Sequence, residues 1–509
     1  MLSQCDKGLA DSTSAGMSTA FTTVAMAIIA TGMILQGIAK SPMEPYIICY
    51  IDNNVPQSST AAYIGVITAC TMIGPAMGYG LGGLFSQMHV SFKDVDMSQT
   101  HPQWIGAWWF GFIVFGIFAI VSGLPLMFFP QKLVRRTNQH ADEDNEHPRV
   151  TFIGYFKEFY LVMKSLLENK IFMILNISGI FELLSISGMV AFTPKYLETQ
   201  FGQQTWISNI LTGVLTVVPI SVGTLVGGFI TSKRKFSPIT CIKFLIVVSF
   251  MDVVFNLFGM ILGCPTPDIV GYDISENKTS TQCMIDCHCS GNYFPVCGAD
   301  GRNYFSPCHA GCTGTIEQTY TQCSCLVSGD TATPGVCSTN CKHLIPYLVT
   351  TLIFKLVVSL SHIPIFILLI RSVPSKDKGI AVGFSSFFVT LLGWFPGAIL
   401  FGRIIDSACL SWSSSCEFTG ACALYDNNKV RMSIYGVSAS LHVIATGLKI
   451  VQLFIARRKT DWTVDNEEPN EKETNRNKIK EEEALLQELP STIINKRGRA
   501  SLSGISIDN

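Results

Sequence analysis

Long apolar stretches separated by short polar ones dominate this chain. Nine runs are long enough to cross a bilayer: 20–39, 62–85, 106–129, 171–192, 207–231, 241–263, 345–370, 379–402 and 432–455. A spanning helix needs about 20 mostly apolar residues. As buried helices of a soluble protein, the same runs would need a charged surface to cover them. The chain lacks one: it is 48% hydrophobic, 14% charged, with a mean hydropathy of +0.36, against about 25% charged residues in soluble domains. The pattern predicts an all-α polytopic membrane protein. Its segments are a polar stretch over 1–19, spans one to six over 20–263, a long loop over 264–344, spans seven to nine over 345–455, and a tail over 456–509. The tail is charged and poor in aromatics, which predicts disorder.

Lys and Arg placement sets the expected orientation. The stretch 130–170 carries Lys132, Arg135, Arg136, Arg149, Lys157, Lys164 and Lys170. Lys233-Arg234-Lys235 follows span five, Arg371, Lys376 and Lys378 follow span seven, and Arg457-Arg458-Lys459 follows span nine. These segments alternate along the spans, so one assignment puts all of them, and the C-terminus, in the cytoplasm. Within the first of them, Phe152 to Leu167 mixes aromatics with Lys157, Glu158 and Lys164, the pattern of an interfacial amphipathic helix. The net charge of −1 gives no hint of a nucleic-acid partner.

Cysteines give an independent check. Disulfides belong outside the cell. The loop 264–344 holds Cys264, Cys283, Cys287, Cys289, Cys297, Cys308, Cys312, Cys323, Cys325, Cys337 and Cys341, and 403–431 adds Cys409, Cys416 and Cys422. Both loops are external by charge alone. The sequon Asn277-Lys278-Thr279 lies in the first of them, so Asn277 is a candidate glycosylation site. A second match, Asn176-Ile177-Ser178, falls inside a span and is expected to stay bare. No metal site is expected, because a zinc cluster would want paired C-x2-C knuckles and a reducing compartment.

Spacing within the long loop carries a resemblance. Cys289 is followed by Cys297 within the Gly-bearing turn stretch Pro295 to Gly301, then by Tyr304, with Cys308, Cys312 and then Cys323 or Cys325 closing the set. This resembles the Kazal fold of serine-protease inhibitors over roughly forty residues, placed at about 283–325, where bridges would replace a core too small to stand alone. A Kazal-like insert between membrane spans resembles the organic anion transporting polypeptides, a branch of the major facilitator superfamily. Three further stretches are similar. His101-Pro102-Gln103-Trp104-Ile105-Gly106-Ala107-Trp108-Trp109-Phe110-Gly111-Phe112 resembles the family motif D-x-R-W-[IV]-G-A-W-W-x-G-[FL]. Thr193 to Gly202 looks like the segment after the family's seventh span, and Phe395-Pro396-Gly397 with Phe401 to Asp406 like the end of its eleventh. His101, Gln103 and Thr390 depart from the family pattern, and at Gln103 and Thr390 a commonly basic position is neutral. The resemblance starts near residue 20 at what looks like the family's fourth span, so the first three of twelve spans are expected to be absent.

The resemblance implies a major-facilitator-type helix bundle and ATP-independent alternating access for amphipathic organic anions at the plasma membrane. The alternatives are a truncated, non-transporting form and a membrane-displayed protease-binding or adhesion module. The residues themselves show no catalytic constellation, no Walker-type P-loop and no expected cofactor. Ionisable residues inside spans are costly there and mark function. The candidates are Glu182, with Ser178 and Ser185 on one face of span four; Asp252 in span six; Lys355 and His362, with Ser359, in span seven; and His442 and Lys449, with Thr446, in span nine. Lys449 is expected to snorkel to the interface, and a Glu182–Lys355 pair is possible. Lys355 is the expected partner of a substrate's anionic end. Trp104, Gly106, Trp108 and Trp109 sit where aromatic belts anchor helices. Gly74, Gly78 and Gly82 recur at the spacing of close helix packing. Arg497-Gly498-Arg499-Ala500-Ser501 offers a kinase site at Ser501.

Overall fold

The computed structural model describes residues 12–92 except 42 and 56, then 104–126 and 128, and 152–458 except 274–277, 280–288, 290–292, 317–318, 338–340 and 416–417. Among these, nine helical segments are long and apolar enough to cross a membrane. The first runs from α1 (Ser12–Lys40) into α2 (Met43–Asn54). Its membrane-length window is Met26–Ile48, later than the predicted 20–39, because helix resumes just past Lys40 instead of stopping there. α3 (Gln57–Thr71) and α4 (Ile73–Ser86) make the second span, and α5 (Trp108–Leu126) the third. The amphipathic stretch folds as α6 (Phe152–Glu168) and leads into α7 (Lys170–Phe201), followed by α8 (Thr205–Lys233) and α9 (Pro238–Ile261).

Two of the last three spans are interrupted. The seventh comprises α10 (Leu344–Ser359) and α11 (His362–Arg371), with tight turns at Leu360 and Ser361 between them. Pro364 explains the break: it has no N–H to offer the Leu360 carbonyl. The eighth comprises α12 (Lys378–Val389), a π-turn over Thr390–Trp394, and α13 (Phe395–Asp406). Pro396 sits just past that turn. α14 (Asn427–Arg458) is the ninth.

Helix ends follow local chemistry. Asn169 caps α7 by accepting from Phe172 N, and Ser237 caps α9 by accepting from Thr240 N, with Pro238 at the first helical position. Gly202 closes α7 with φ 62°, a left-handed conformation that suits glycine.

α7, α9 and α14 pack side by side, and α8 packs against α3, α4 and α10. The α8–α10 approach depends on Gly223 and Gly227. A Cβ on Gly223 would meet Ser359 Cβ at 2.5 Å, and one on Gly227 would meet Leu360 O at 2.6 Å. In the second span the expected glycine contact does not form: Gly74, Gly78 and Gly82 have nothing within 4 Å. The close contacts there come from Gly65, against Thr224 O and Gly228 Cα, and from Gly83, against Ile210. Periodicity identified a small-residue face but not the face that meets α8.

The disulfide-rich insert is a sheet of six strands in the order β1-β5-β4-β8-β7-β6, reaching from β1 (Ile269–Val270) to β8 (Ala332–Pro334). Between these lie β4 (Val296–Gly298), β5 (Asn303–Tyr304), β6 (Cys312–Ile316) and β7 (Thr319–Cys323); a separate pair is β2 (Tyr272–Asp273) with β3 (Lys278–Thr279). Val296, Tyr304, Ala310, Cys323 and Ala332 form its small core. Cys289–Cys308, Cys297–Cys337 and Cys312–Cys323 staple it, and Cys325 is also disulfide-bonded. Cys264–Cys341 ties together the two ends of the loop. A hairpin of β9 (Cys409–Ser415) and β10 (Phe418–Tyr425), closed by Cys409–Cys422, packs on the insert. Ile269, Tyr272, Phe305 and Leu424 form that joint, and Tyr272 donates to Leu410 O. Every described disulfide thus lies in the two loops expected outside, while Cys70 and Cys241 are free. Asn277, Cys283, Cys287, His101, Gln103 and Ser501 lie outside the described residues, as do 1–11 and 459–509.

Candidate functional site

A cavity of about 310 Å3 lies between α7, α9, α11, α12 and the start of the π-turn. Its ionisable wall residues are Glu182, Asp252, His362 and His442. Asn176, Ser249, Ser361, Ser385, Ser386 and Thr390 add polar groups, and residues such as Leu183, Ile186, Phe366 and Val389 supply apolar wall. Both interrupted spans open onto it, through Ser361 and His362 at one break and Val389 and Thr390 at the other. An interrupted helix leaves backbone groups without intrahelical partners, which is tolerated at membrane depth where a cavity receives them.

Around the cavity the charges are cross-linked between helices. Lys449 Nζ donates to Glu182 Oε1 and, at 2.7 Å, to Ser249 Oγ, which itself donates to Glu182 Oε1 at 2.7 Å. This joins α14, α7 and α9. His442 Nδ1 lies 3.2 Å from Asp252 Oδ2, a second α14–α9 link. Ser185 and Ser438 meet at 2.5 Å, and Ser385 donates to Asn176 Oδ1 at 2.5 Å. A buried charge is stable only with a partner and hydrogen bonds, and Lys449, 2% exposed, has both.

That arrangement corrects two expectations. Lys449 does not snorkel: Glu182 and Ser249 hold its ammonium inside the bundle. Glu182 pairs with Lys449 rather than with Lys355. Lys355 lies within electrostatic reach of Asp252 but off the cavity wall, and its Nζ makes no hydrogen bond or ion pair among the described residues. Of the six candidates, the fold brings Glu182, Asp252, His362 and His442 to the cavity and places Lys449 directly behind Glu182. Ser249 carries no charge to mark it within an apolar span, yet it stands three residues before Asp252 on the same helix and so shares its face. Thr390 was noted only as a departure from a motif, yet it lines the cavity. Asn176, in the internal sequon, is buried and donates to Phe172 O.

The tryptophan motif does a different job. Trp104 Nε1 donates to Ser86 O at 2.9 Å and Trp109 Nε1 to Val90 O at 3.2 Å. Gly106 presses on Ser86, where a Cβ would come within 2.6 Å of its Cα. Two of the three indoles therefore clamp the turn after α4 to the start of α5, and Trp108 is exposed. A groove beside them is lined by Tyr79, Trp104, Trp108 and Asn209.

Among the described residues, nine membrane-length helical segments, two of them interrupted where they border a polar cavity, and a disulfide-stapled insert define a polytopic helical membrane protein. The chain belongs to the Organic Anion Transporter Polypeptide (OATP) family, whose profile matches residues 2–430. It is 28% identical to the solute carrier organic anion transporter family member 2B1 of Rattus norvegicus, over 87% of this chain and 73% of that protein. It is 31% identical to member 4C1 of Homo sapiens, over 85% of this chain and 64% of that protein. With member 74D of Drosophila melanogaster it shares 28% identity, over 88% of this chain and 56% of the relative.

Proposed function

We propose that this chain moves large amphipathic organic anions (bile-salt, steroid-conjugate, hormone or prostanoid-like) across the plasma membrane by ATP-independent alternating access. The observation that carries this reading is the cavity at the two helix breaks, walled by apolar side chains and a few convergent ionisable ones. Such a site suits an amphipath: the hydrophobic body contacts Leu183, Ile186 and Phe366, and polar ends meet groups on several helices. Lys355, whose Nζ makes no hydrogen bond among the described residues, stands off the wall within electrostatic reach of Asp252 and is the cation that draws the anionic end to that side. Membership of the OATP family supports the substrate class.

The orientation follows from charge and disulfides together. The insert and the α13–α14 hairpin face outside, with Asn277 available for glycosylation there, and the tail with Ser501 faces the cytoplasm. The test is uptake of a labelled anionic steroid conjugate by cells expressing this chain, with surface expression matched. Uptake should exceed that of untransfected cells and fall at least severalfold in Lys355→Ala. Equal uptake by the parent and Lys355→Ala would remove Lys355 from the mechanism. No uptake above background would remove the transport reading.

A further inference from the structure

Among the described residues, the cavity wall carries no Lys or Arg. Its fixed charges are the carboxylates of Glu182 and Asp252, which is unexpected for a site meant to receive an anion alone. Each carboxylate uses only one oxygen. Glu182 Oε1 takes both Lys449 and Ser249, and Asp252 Oδ2 faces His442. Glu182 Oε2 and Asp252 Oδ1 accept no hydrogen bond among the described residues, and the two side chains keep 16% and 14% exposure at the cavity. They are two unspent acceptors on residues that line the cavity. Near the π-turn the wall presents the neutral Thr390.

The charge balance points the same way. Apart from the imidazoles, the groups around the cavity are two carboxyls, Glu182 and Asp252, and two amines, Lys449 and Lys355. In a low-dielectric interior, an added net charge is costly unless something compensates it. A monoanion brings one uncompensated charge. A molecule bearing one anionic and one cationic group brings none. Its two ends also find separate partners: an ammonium can donate to Glu182 Oε2 or Asp252 Oδ1, and a carboxylate or sulfonate can be drawn to Lys355.

We infer that this cavity prefers zwitterionic amphipaths, with a protonated amine as well as an anionic group, over simple organic anions of the same scaffold. The inference deepens the transport reading and rests on it for the location of the site. Charge-assisted hydrogen bonds to otherwise unpaired carboxylate oxygens would favour the zwitterion by about tenfold in affinity.

The experiment uses the full chain in lipid nanodiscs and three probes on one steroid scaffold: carboxylate only, ammonium only, and both. Competition binding should rank the zwitterion about tenfold tighter than the carboxylate-only probe. Asp252→Asn should erase most of that preference while leaving the carboxylate-only probe unchanged or tighter. Lys355→Gln should weaken the carboxylate and zwitterion probes and spare the ammonium-only one, a split that a folding defect would not produce. Equal or tighter binding of the carboxylate-only probe to the parent overturns the inference, as does an unchanged preference in a monodisperse Asp252→Asn. Should Asp252→Asn fail to fold, the parent ranking and Lys355→Gln decide. If the zwitterion binds selectively but is not taken up by cells, transport fails and the selectivity stands. If the carboxylate-only probe is taken up with no zwitterion preference, the reverse holds.

Discussion

At the scale of single residues, the ion pair between Glu182 and Lys449 has the largest consequence. Removing one partner of a buried pair leaves an uncompensated charge, typically at a cost of about 3–5 kcal/mol. Glu182→Gln should therefore lower the melting temperature of the detergent-purified protein sharply. The double variant Glu182→Gln/Lys449→Met should recover more than half of that loss, as a thermal-shift double-mutant cycle would show. A second prediction concerns the external insert. His309 binds Ser306 Oγ through Nδ1 at 2.7 Å, and burial pushes its pKa below the ordinary 6.5. The unfolded insert then takes up a proton that the folded one refuses. For Asp300, burial works against the charged form but is outweighed by bonds from Tyr304 Oη and the Arg302 and Val327 amides, and its pKa falls below 3.8. Stability from His309 is complete above pH 6.5 and declines as the pH falls below it; that from Asp300 is present above pH 3.8 and is lost below it. Hydrogen-exchange protection factors of β4 to β8 in the intact protein, corrected for the intrinsic rate at each pH, should be lower at pH 5 than at pH 7.5. His309→Gln should flatten that difference.

At the scale of elements, the interrupted seventh span depends on α8. Gly223 and Gly227 let the backbone of α8 lie against Ser359 and Leu360, the residues at the break. Gly227→Val would put its side chain into the Leu360 carbonyl, so α8 and α10 must separate. The expected outcome is a loss of about 1–3 kcal/mol, seen as a lower melting temperature, together with reduced tracer uptake. The break itself was half legible. Pro364 and Pro396 are visible in the sequence, and prolines disturb helices. Whether a proline yields a kink, a tight turn or a π-turn depends on what packs beside it, here α8 on one side and α7 on the other. The glycine stripe in α4 shows the same limit: spacing finds a face, but contact requires a partner.

At the scale of the whole molecule, the insert is fastened to the bundle rather than tethered. Cys264–Cys341 closes a 77-residue loop, Thr266 and Asp426 interact at 3.4 Å, and Asn427 donates to Pro265 O. In the chain-entropy picture, a closure of that length contributes roughly 4 kcal/mol. Cys264→Ser/Cys341→Ser should leave the internal bridges of the insert intact yet increase protease cleavage at its borders. Mass-spectrometric mapping of limited digests would check this; an unchanged digestion pattern would mean that the β9–β10 joint alone holds the insert in place.

The sequence by itself determined the membrane class, the nine spans, the disulfide-rich loop and the family resemblance. Each rests on local composition or spacing, and hydrophobic runs of about 20 residues and cysteine sets do not depend on which helices are neighbours. It also nominated Glu182, Asp252, His362, His442 and Lys449, because an ionisable residue inside an apolar run is conspicuous wherever it points. Only the tertiary structure decided the pairing: Lys449 inward on Glu182 through Ser249, His442 on Asp252, and Lys355 left off the wall. Those choices follow from which faces of α7, α9 and α14 meet. A charge in a low-dielectric interior takes the partner that packing places within reach, and no single helix's sequence contains that information.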